Sequence, residues 1–579
     1  MFGRIAVVAL FMTLSACKED SGSTDAAASP VATVDPRGGL VLADDPYGDH
    51  ATRLVYLDQG WDAAKALWYY YADQGSVLMP YEVLVHLEQP DDEERVLDAV
   101  NLARYRFLTQ HPTPNNPDAL PIGFARHGDH VGLTCAACHT AQITYRGTAI
   151  RVEGAPTLAD VMGFISHIRD ALAATLADEA KLSRFKSAIG AGGPPLPGGP
   201  PHSESAEALL GDSLAWFEDY IAANRSSTVE GFGRIDAVGR IINQVIRFTS
   251  AAENGAEPNA PNSFPILWDA PRLDYVQWGG FSANADAGAL GRNVGEVVGV
   301  FGSVDVMHYE TEQEAKKGYP STVEGNTLVS LEEALYELKS PVWPEETLPP
   351  IDRSKAARGA ELYATACASC HALLDRDDPD RKATAMITAI DVVGTDPQSA
   401  NNLISVRAPT GILEGAIASD GSTYGATASG LALLGNLVQG ILTAQLPATL
   451  RAVANAKRNG IEASEKQGDY HEPTEADPAA DLRSYKARPL NGMWASAPYL
   501  HNGSVPTLYD LLLPATDRPK RFAVGRTEFD PEKVGYVTDG ESPWVHDTSV
   551  IGNHNGGHEY GTTLSEDDRW ALVEYLKTL

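Results

Sequence analysis

The sequence contains few cysteines, and this scarcity limits what they can do. Only five occur in 579 residues. Four stand in two copies of one pentapeptide, Cys135–His139 and Cys367–His371, and the fifth, Cys17, ends an N-terminal apolar segment. No thiol is therefore left for a disulfide or for a cysteine nucleophile.

Basic residues are also scarce. The chain has 45 Lys and Arg against 77 Asp and Glu, a formal net charge of -32. This charge disfavours nucleic acid and anionic lipid surfaces as partners, but it is compatible with a basic redox partner or a neutral substrate. Beyond the N-terminus, no stretch is long and apolar enough to cross a membrane. Membrane contact is therefore expected only through a lipid anchor.

The repeated pentapeptide has the pattern Cys-x-x-Cys-His, the attachment signature of a c-type haem. Two thiols on one turn add to the porphyrin while the adjacent imidazole reaches the iron. A shared zinc site is disfavoured because the two pairs lie far apart, and a dithiol motif needs neither a second copy nor the histidine. We predict two covalent haems, attached through Cys135, Cys138, Cys367 and Cys370, with His139 and His371 as proximal ligands.

The N-terminus indicates export. Met1–Arg4 is a short basic segment, Ile5–Leu14 is apolar but too short to span a bilayer, and small residues precede Cys17. Residues 1–17 resemble a bacterial lipoprotein signal peptide, with Cys17 as the lipidated residue; an ordinary secretory signal is the alternative. Lys18 favours the outer membrane. We expect a lipid-anchored protein of the periplasm or cell surface.

The remaining pattern predicts a mainly α protein with two cytochrome c-like haem domains, long loops and extra helices. Helical spacing appears before the first motif, in the segment ending near residue 185, in two further stretches, before Cys367, and after Ser565. Ser354 is expected to cap the helix that enters Cys367. Residues 259–302 are expected to form loops rather than a sheet. The expected divisions are a tether at 18–40, an N-terminal haem domain at 41–340, a linker at 341–352, a C-terminal haem domain at 353–579, and a Pro/Gly-rich connector at 190–201.

Several segments resemble the bacterial dihaem cytochrome c peroxidase superfamily, and most closely its rubber oxygenase branch. They are Gly132–Thr140, Ile150–Pro156, Phe264–Asp269, Gln277–Gly280, Arg292–Val297 and Pro498–Ser504. The resemblance covers most of the chain from about residue 40. It implies that His139 serves an active N-terminal haem and that His371 and His558 are the axial pair of an electron-transfer haem. His554 and His501 are the alternatives to His558. Calcium, as in related peroxidases, is a further expectation.

Typical peroxidases have a distal histidine soon after the first motif, but no histidine lies between His139 and His167 here. His167 sits on an apolar helical stripe and is interpreted as a packing residue. We therefore expect an open or water-filled sixth position at the first haem. Such an iron can bind peroxide or O2, whereas an iron with two strong protein ligands only exchanges electrons.

Candidate catalytic residues accompany this site. Trp278 and Trp268 are candidates for an electron path, Arg151 and Arg292 for oxygen stabilisation or propionate pairing, and Glu296 and Glu153 for acid–base work.

Three functions follow: a peroxide- or O2-activating oxidoreductase, a dioxygenase that cleaves an apolar olefin, and a non-enzymatic electron carrier. The expected electron partner is a small donor protein or a quinol-linked cytochrome.

Overall fold

The computed structural model describes residues 35–189, 206–250, 255–418, 420–540 and 542–579. The predicted signal peptide with Cys17, most of the tether and the connector at 190–201 lie outside these ranges. From Pro36 onward the described residues form one unit. The domain boundaries expected around residues 340 and 353 stay a prediction.

The fold is mixed α/β, so the predicted mainly α class is wrong. Helices account for 37% of the structure and strands for 15%. The helices in the described ranges are α1 Ala63–Tyr71, α2 Tyr81–His86, α3 Ala99–Arg104, α4 Cys135–Cys138, α5 Val161–Ala177, α6 Glu179–Ala188, α7 Ala206–Ala223, α8 Ala237–Thr249, α9 Gly288–Gly299, α10 Glu312–Ala315, α11 Gly325–Leu335, α12 Arg353–Ala366, α13 Ile390–Val393, α14 Gln398–Ser405, α15 Gly430–Ala444, α16 Leu446–Arg458, α17 Leu508–Leu511 and α18 Glu566–Leu576.

The strands are short and form several small sheets. They are β1 Arg53–Tyr56, β2 Met79–Pro80, β3 Phe124–His127, β4 His130–Leu133, β5 Thr140–Tyr145, β6 Thr148–Glu153, β7 Arg234–Ile235, β8 Asn262–Ser263, β9 Tyr275–Val276, β10 Ser282–Ala283, β11 Met386–Ala389, β12 Arg407–Pro409, β13 Thr427–Ser429, β14 Gln467–Asp469, β15 Ser484–Ala487, β16 Arg521–Val524, β17 Phe529–Asp530, β18 Gly535–Tyr536 and β19 Trp544–Asp547. The three-stranded sheets have the orders β1-β6-β5, β2-β4-β3 and β14-β11-β15.

The sequence pattern did not predict these strands because they are short. They depend on tight turns and on pairing with segments that lie far away in the chain. Arg146 and Gly147 both have positive φ, at 47° and 78°, which is typical of the two-residue turn of a β-hairpin. This turn joins β5 to β6, and β1 then adds to β6 in parallel. The expectation of loops at 259–302 is also wrong, since β8, β9, β10 and α9 lie there.

Several helices agree with the sequence pattern. The two stretches expected before residue 250 are α7 and α8, and Ser565 caps α18 by accepting a hydrogen bond from Asp568 N at 3.2 Å. The cap of α12 is Asp352 rather than Ser354, because the Asp352 carboxylate accepts from the amides of the first turn. Helices α12 and α18 pack directly against each other. At Gly359 an added Cβ would lie 2.1 Å from the carbonyl oxygen of Ala571, so glycine permits this close approach.

The core fixes both motifs in place. One continuous apolar cluster includes Tyr69 and Ala136 beside the first motif and Tyr363 and Leu572 beside the second. A second cluster packs α5 and α7 behind the β2-β4-β3 sheet. Within the ranges described, no single helix has both the length and the apolarity to cross a bilayer. The bent pair α15 and α16, which meet at 100°, passes that test only when taken together.

Candidate haem sites

The first motif forms a single helical turn at the end of β4. Thr134 caps α4 by accepting from Ala136 N at 3.3 Å, and His139 N donates to Cys135 O at 2.9 Å. Gly123, with φ of 87°, passes so close that an added Cβ would lie 2.0 Å from Ala137 N. The four cysteines of the two motifs are free thiols. This turn therefore carries two available thiols and an imidazole, the donor set of a c-type haem.

His139 is held in the form that binds a metal. Its Nδ1 lies 2.8 Å from the carbonyl oxygen of Pro265 and donates to it, which leaves Nε2 as the free nitrogen. The Tyr69 hydroxyl donates to the His139 carbonyl at 3.1 Å. Burial lowers the pKa of His139 to about 4, so the ring is neutral at physiological pH. These contacts fit the role of proximal ligand.

A cavity of about 90 Å³ opens beside the His139 ring. Its lining is mainly apolar and includes Ile266, Leu267, Trp268, Leu273, Val276, Trp278, Leu331 and Leu335. Among the cavity residues that the structure describes, His139 is the single histidine and there is no methionine. The motif thiols and His139 thus fit a covalently attached porphyrin, and the described lining adds no second histidine or methionine.

Polar groups of this cavity come largely from one face of α9. Glu296 accepts a hydrogen bond from Gln277 Nε2 at 2.9 Å, and burial raises the pKa of its carboxyl. Arg292 contacts Glu332, which also accepts from Asn293 Nδ2 at 2.8 Å. The cavity therefore contains one carboxyl with a raised pKa and one arginine already paired with an acid.

The predicted catalytic residues divide into two groups. Trp278 and Glu296 line the cavity with His139, as do Trp268 and Arg292. Arg151 and Glu153 do not, because β6 directs them elsewhere. Arg151 donates to Gln142 Oε1 at 2.9 Å across the hairpin, and Glu153 accepts from Arg37 at 2.9 Å. His167 also lies away from the cavity, with its Nε2 3.2 Å from Asn101 Nδ2 on α3.

The second motif follows α12 and has the same supporting contacts. His371 N donates to Cys367 O at 2.9 Å, and the Tyr363 hydroxyl donates to the His371 carbonyl at 2.8 Å. His371 Nδ1 donates to the Arg488 carbonyl at 2.7 Å. Burial lowers the pKa of His371 below its usual value. This imidazole is thus also neutral and positioned through Nδ1.

His558 lies opposite His371. The two ring centres are 6.2 Å apart. A metal bonded to both rings at about 2 Å would place the ring centres about 6 Å apart. Burial lowers the pKa of His558 to about 3, and its buried Nδ1 has no hydrogen-bond partner among the described residues. The pair fits an iron bound between two imidazoles.

The alternative axial residues have other contacts. His554 Nδ1 is bonded to the Thr548 carbonyl at 3.0 Å. His501 stacks on Tyr485 with ring centres 4.1 Å apart and contacts Trp278. Of the three histidines named from the sequence, His558 is the one that makes a ring contact with His371.

Arg488 and Trp278 connect the two sites. The Arg488 carbonyl accepts from His371, while its guanidinium carbon lies 4.6 Å from the centre of the Trp278 ring. Lys486 N donates to the Trp278 carbonyl at 2.7 Å. The sequence reasoning missed Lys486 and Arg488, since their position between the sites depends on the pairing of β15 with β11.

A separate group of potential metal ligands lies near the first motif. Ligand atoms of Asp73, His127 and Glu324 are all within 4.8 Å of one another. An imidazole in the set suits transition metals better than calcium, which prefers oxygen ligands. Calcium binding stays a prediction.

Comparison with known proteins agrees with this chemistry. Residues 484–523, which include β15, Arg488 and His501, match the family described as RoxA-like, cytochrome c-like. These residues are thus similar to a RoxA-like cytochrome c domain, and the match supports the binding of haem c. This match supports the predicted resemblance to the rubber oxygenase branch, while the wider resemblance to dihaem peroxidases stays a prediction.

Two relatives from Sinorhizobium fredii are similar to the chain. The uncharacterized protein y4iJ is 33% identical across 93% of this chain and 95% of its own length. The uncharacterized protein y4iM is 39% identical over 17% of this chain and 28% of its own length. The chain belongs to the same family as y4iJ.

Proposed function

We propose that the protein is an exported dihaem c-type oxidoreductase that activates O2 or peroxide at the first motif and exchanges electrons at the second. One observation carries this proposal. His371 has an imidazole 6.2 Å away across its site, whereas the cavity beside His139 offers no second histidine or methionine among its described residues. An open position permits ligand activation, and two imidazoles favour electron exchange.

A haem bound at the first motif would supply one-electron chemistry and a free iron position for a small oxygen ligand. His139 would hold it, with Pro265 fixing the ring orientation. Glu296, with its pKa raised by burial and its Oε1 bonded to Gln277, can hold a proton at the wall of this cavity.

Contacts between the sites support an electron path. Trp278 lines the first cavity and stacks against Arg488, whose carbonyl is bonded to His371. Trp278 Nε1 donates to the Ser263 carbonyl at 2.8 Å, which fixes the plane of the indole. The indole of Trp268 is fixed in the same way, with Nε1 donating to Asn491 O at 2.8 Å. The contact with Arg488 is what favours Trp278 for electron transfer.

We further propose where the protein acts and which partner reduces it. Attachment of haem to Cys-x-x-Cys-His takes place after export, which agrees with a lipoprotein signal ending at Cys17. We expect a lipid-anchored protein of the periplasm or cell surface, on the outer membrane. A small electron-donor protein or a quinol-linked cytochrome would reduce the second haem.

Paired motif variants test the division of roles. Cys367→Ala/Cys370→Ala removes the second attachment point and should leave a protein that, once reduced, still reacts with O2 or peroxide in a single turnover. Cys135→Ala/Cys138→Ala should abolish that reaction but keep a haem that exchanges electrons with a donor. Stopped-flow absorbance reports both. The reverse pattern would contradict the assignment, and an unreactive wild-type protein would favour the carrier function.

Cleavage of an apolar olefin is a second candidate, favoured by the apolar lining of the cavity and the RoxA-like match. Oxygen uptake with polyisoprene, compared with peroxide turnover in the presence of a reduced donor, separates the two. Uptake that depends on polyisoprene and stops in Cys135→Ala/Cys138→Ala supports the dioxygenase. Turnover with peroxide alone supports the peroxidase.

A further inference from the structure

Two basic side chains, Lys486 and Arg488, line the cavity of the first motif although both belong to the segment that supports the second. Lys486 lies in β15 and Arg488 directly follows the strand, two positions further along the chain. Arg292, the third cation of this cavity, contacts the carboxylate of Glu332.

Neither cation has an acidic partner. In the described ranges, neither the Lys486 ammonium nor the Arg488 guanidinium forms an ion pair. The Asp274 carboxylate acts on Lys486 only from beyond ion-pair distance, and the cavity carboxyl of Glu296 is bonded to Gln277. Burial lowers the pKa of Lys486 to about 7 and that of Arg488 to about 10. Burial of unpaired charge is costly, and an anion in the cavity would offset that cost.

We infer that Lys486 and Arg488 are a carboxylate-binding pair for the two propionates of the porphyrin attached at Cys135 and Cys138. A guanidinium and an ammonium side by side match two carboxylates in charge and number. The inference rests on the proposed haem at the first motif. It goes beyond that proposal by naming the residues that bind the propionates of this haem.

Arg488 serves the two sites through different atoms. Its guanidinium reaches the first cavity and Trp278, whereas its backbone carbonyl holds His371. A side-chain substitution removes the charge from the first site and leaves the carbonyl in place at the second. The positive charge favours the reduced iron, so its loss should lower the reduction potential of the first haem more than that of the second.

Redox titration of the holoprotein, followed by absorbance, tests this. Arg488→Gln and Lys486→Gln should each shift the midpoint potential of the first haem to more negative values, and Arg488→Lys should shift it less than Arg488→Gln. Arg407→Gln, at an exposed position on β12, is the matched control and should leave both potentials unchanged. Haem content and far-UV circular dichroism check that each variant folds. Potentials in Arg488→Gln and Lys486→Gln that equal those of Arg407→Gln would overturn the inference.

Acetate distinguishes a porphyrin carboxylate from a free one. If the pair holds propionates, acetate should cause no saturable change in the Soret band of the wild-type protein. A saturable change that disappears in Arg488→Gln, with unshifted potentials, would assign the pair to an external carboxylate and overturn the propionate assignment. Absence of a haem at the first motif in the wild-type protein would overturn both this inference and the proposed function. An unshifted potential with that haem present would overturn this inference alone.

Discussion

The two motif sites share their supporting contacts and differ in what surrounds them. In each, a tyrosine hydroxyl donates to the carbonyl of the motif histidine, from Tyr69 to His139 and from Tyr363 to His371. In each, the histidine Nδ1 donates to a backbone carbonyl far along the chain. Opposite His371 lies His558, but His139 faces a mainly apolar cavity. The same supporting contacts thus accompany one pair of facing imidazoles and one imidazole beside a cavity.

The two motifs also differ in their exposure to solvent. Ala136 and Ala137, between the first pair of cysteines, are buried, whereas Ala368 and Ser369 in the second pair are exposed. Burial raises the pKa of Cys135 to about 12 and that of Cys367 to about 11. An enclosed site protects a reacting oxygen species, and a site near the surface can accept electrons from a partner. The first motif is thus more enclosed than the second.

Removal of His558 should abolish the difference between the sites. His558→Ala leaves His371 as the single protein ligand, so the second iron should change from low to high spin and bind CO when reduced. The matched control is His554→Ala in the same turn, since His554 is bonded to Thr548. Electron paramagnetic resonance and CO difference spectra measure the change. CO binding at the second iron in His554→Ala but not in His558→Ala would assign the axial role to His554.

Glu296→Gln tests whether this carboxyl acts as an acid or base in the reaction at the first site. General acid–base groups contribute about 100-fold or more to rate, so turnover with peroxide or O2 should fall by at least that factor. Glu310→Gln, at an exposed position, should have no effect. Equal turnover in the two variants would remove Glu296 from the mechanism.

The pH dependence of stability tests the same residue. Because the pKa of Glu296 is raised by burial, the folded protein keeps this proton to a higher pH than the unfolded chain does. The stability linked to this group is therefore present at low pH and is lost as pH rises from the ordinary pKa of a glutamate through the raised one. Thermal unfolding of Glu296→Gln across this range should show a weaker pH dependence than the wild-type protein. An unchanged dependence would contradict the assigned protonation.

The shared tyrosine contacts should have smaller, similar effects. A hydrogen bond of this kind contributes about 0.5–1.5 kcal/mol to stability, so Tyr69→Phe and Tyr363→Phe should each lower the free energy of unfolding by about that amount. Urea unfolding followed at the Soret band measures it. A loss in one variant alone would show that the two scaffolds are not equivalent.

How far the sequence could predict this arrangement depends on the length scale of each feature. The haem motifs were identifiable because all of their residues lie on one turn, and the cap at Ser565 needed only a local pattern. The mixed α/β fold class could not be predicted in this way. The β5–β6 hairpin, for example, is marked by the turn residues Arg146 and Gly147 and not by a long alternation of apolar and polar residues. The roles of Lys486 and Arg488 depend on a strand pairing that brings a C-terminal segment to the first cavity. Such long-range contacts leave no periodic trace in a single sequence.

The ratio of bound CO to total haem in the reduced wild-type protein tests the asymmetry between the sites most directly. Total haem comes from the pyridine haemochrome and bound CO from titration. The account predicts two haems and one CO per chain, with the binding lost in Cys135→Ala/Cys138→Ala. Two CO per chain, or none, would contradict it.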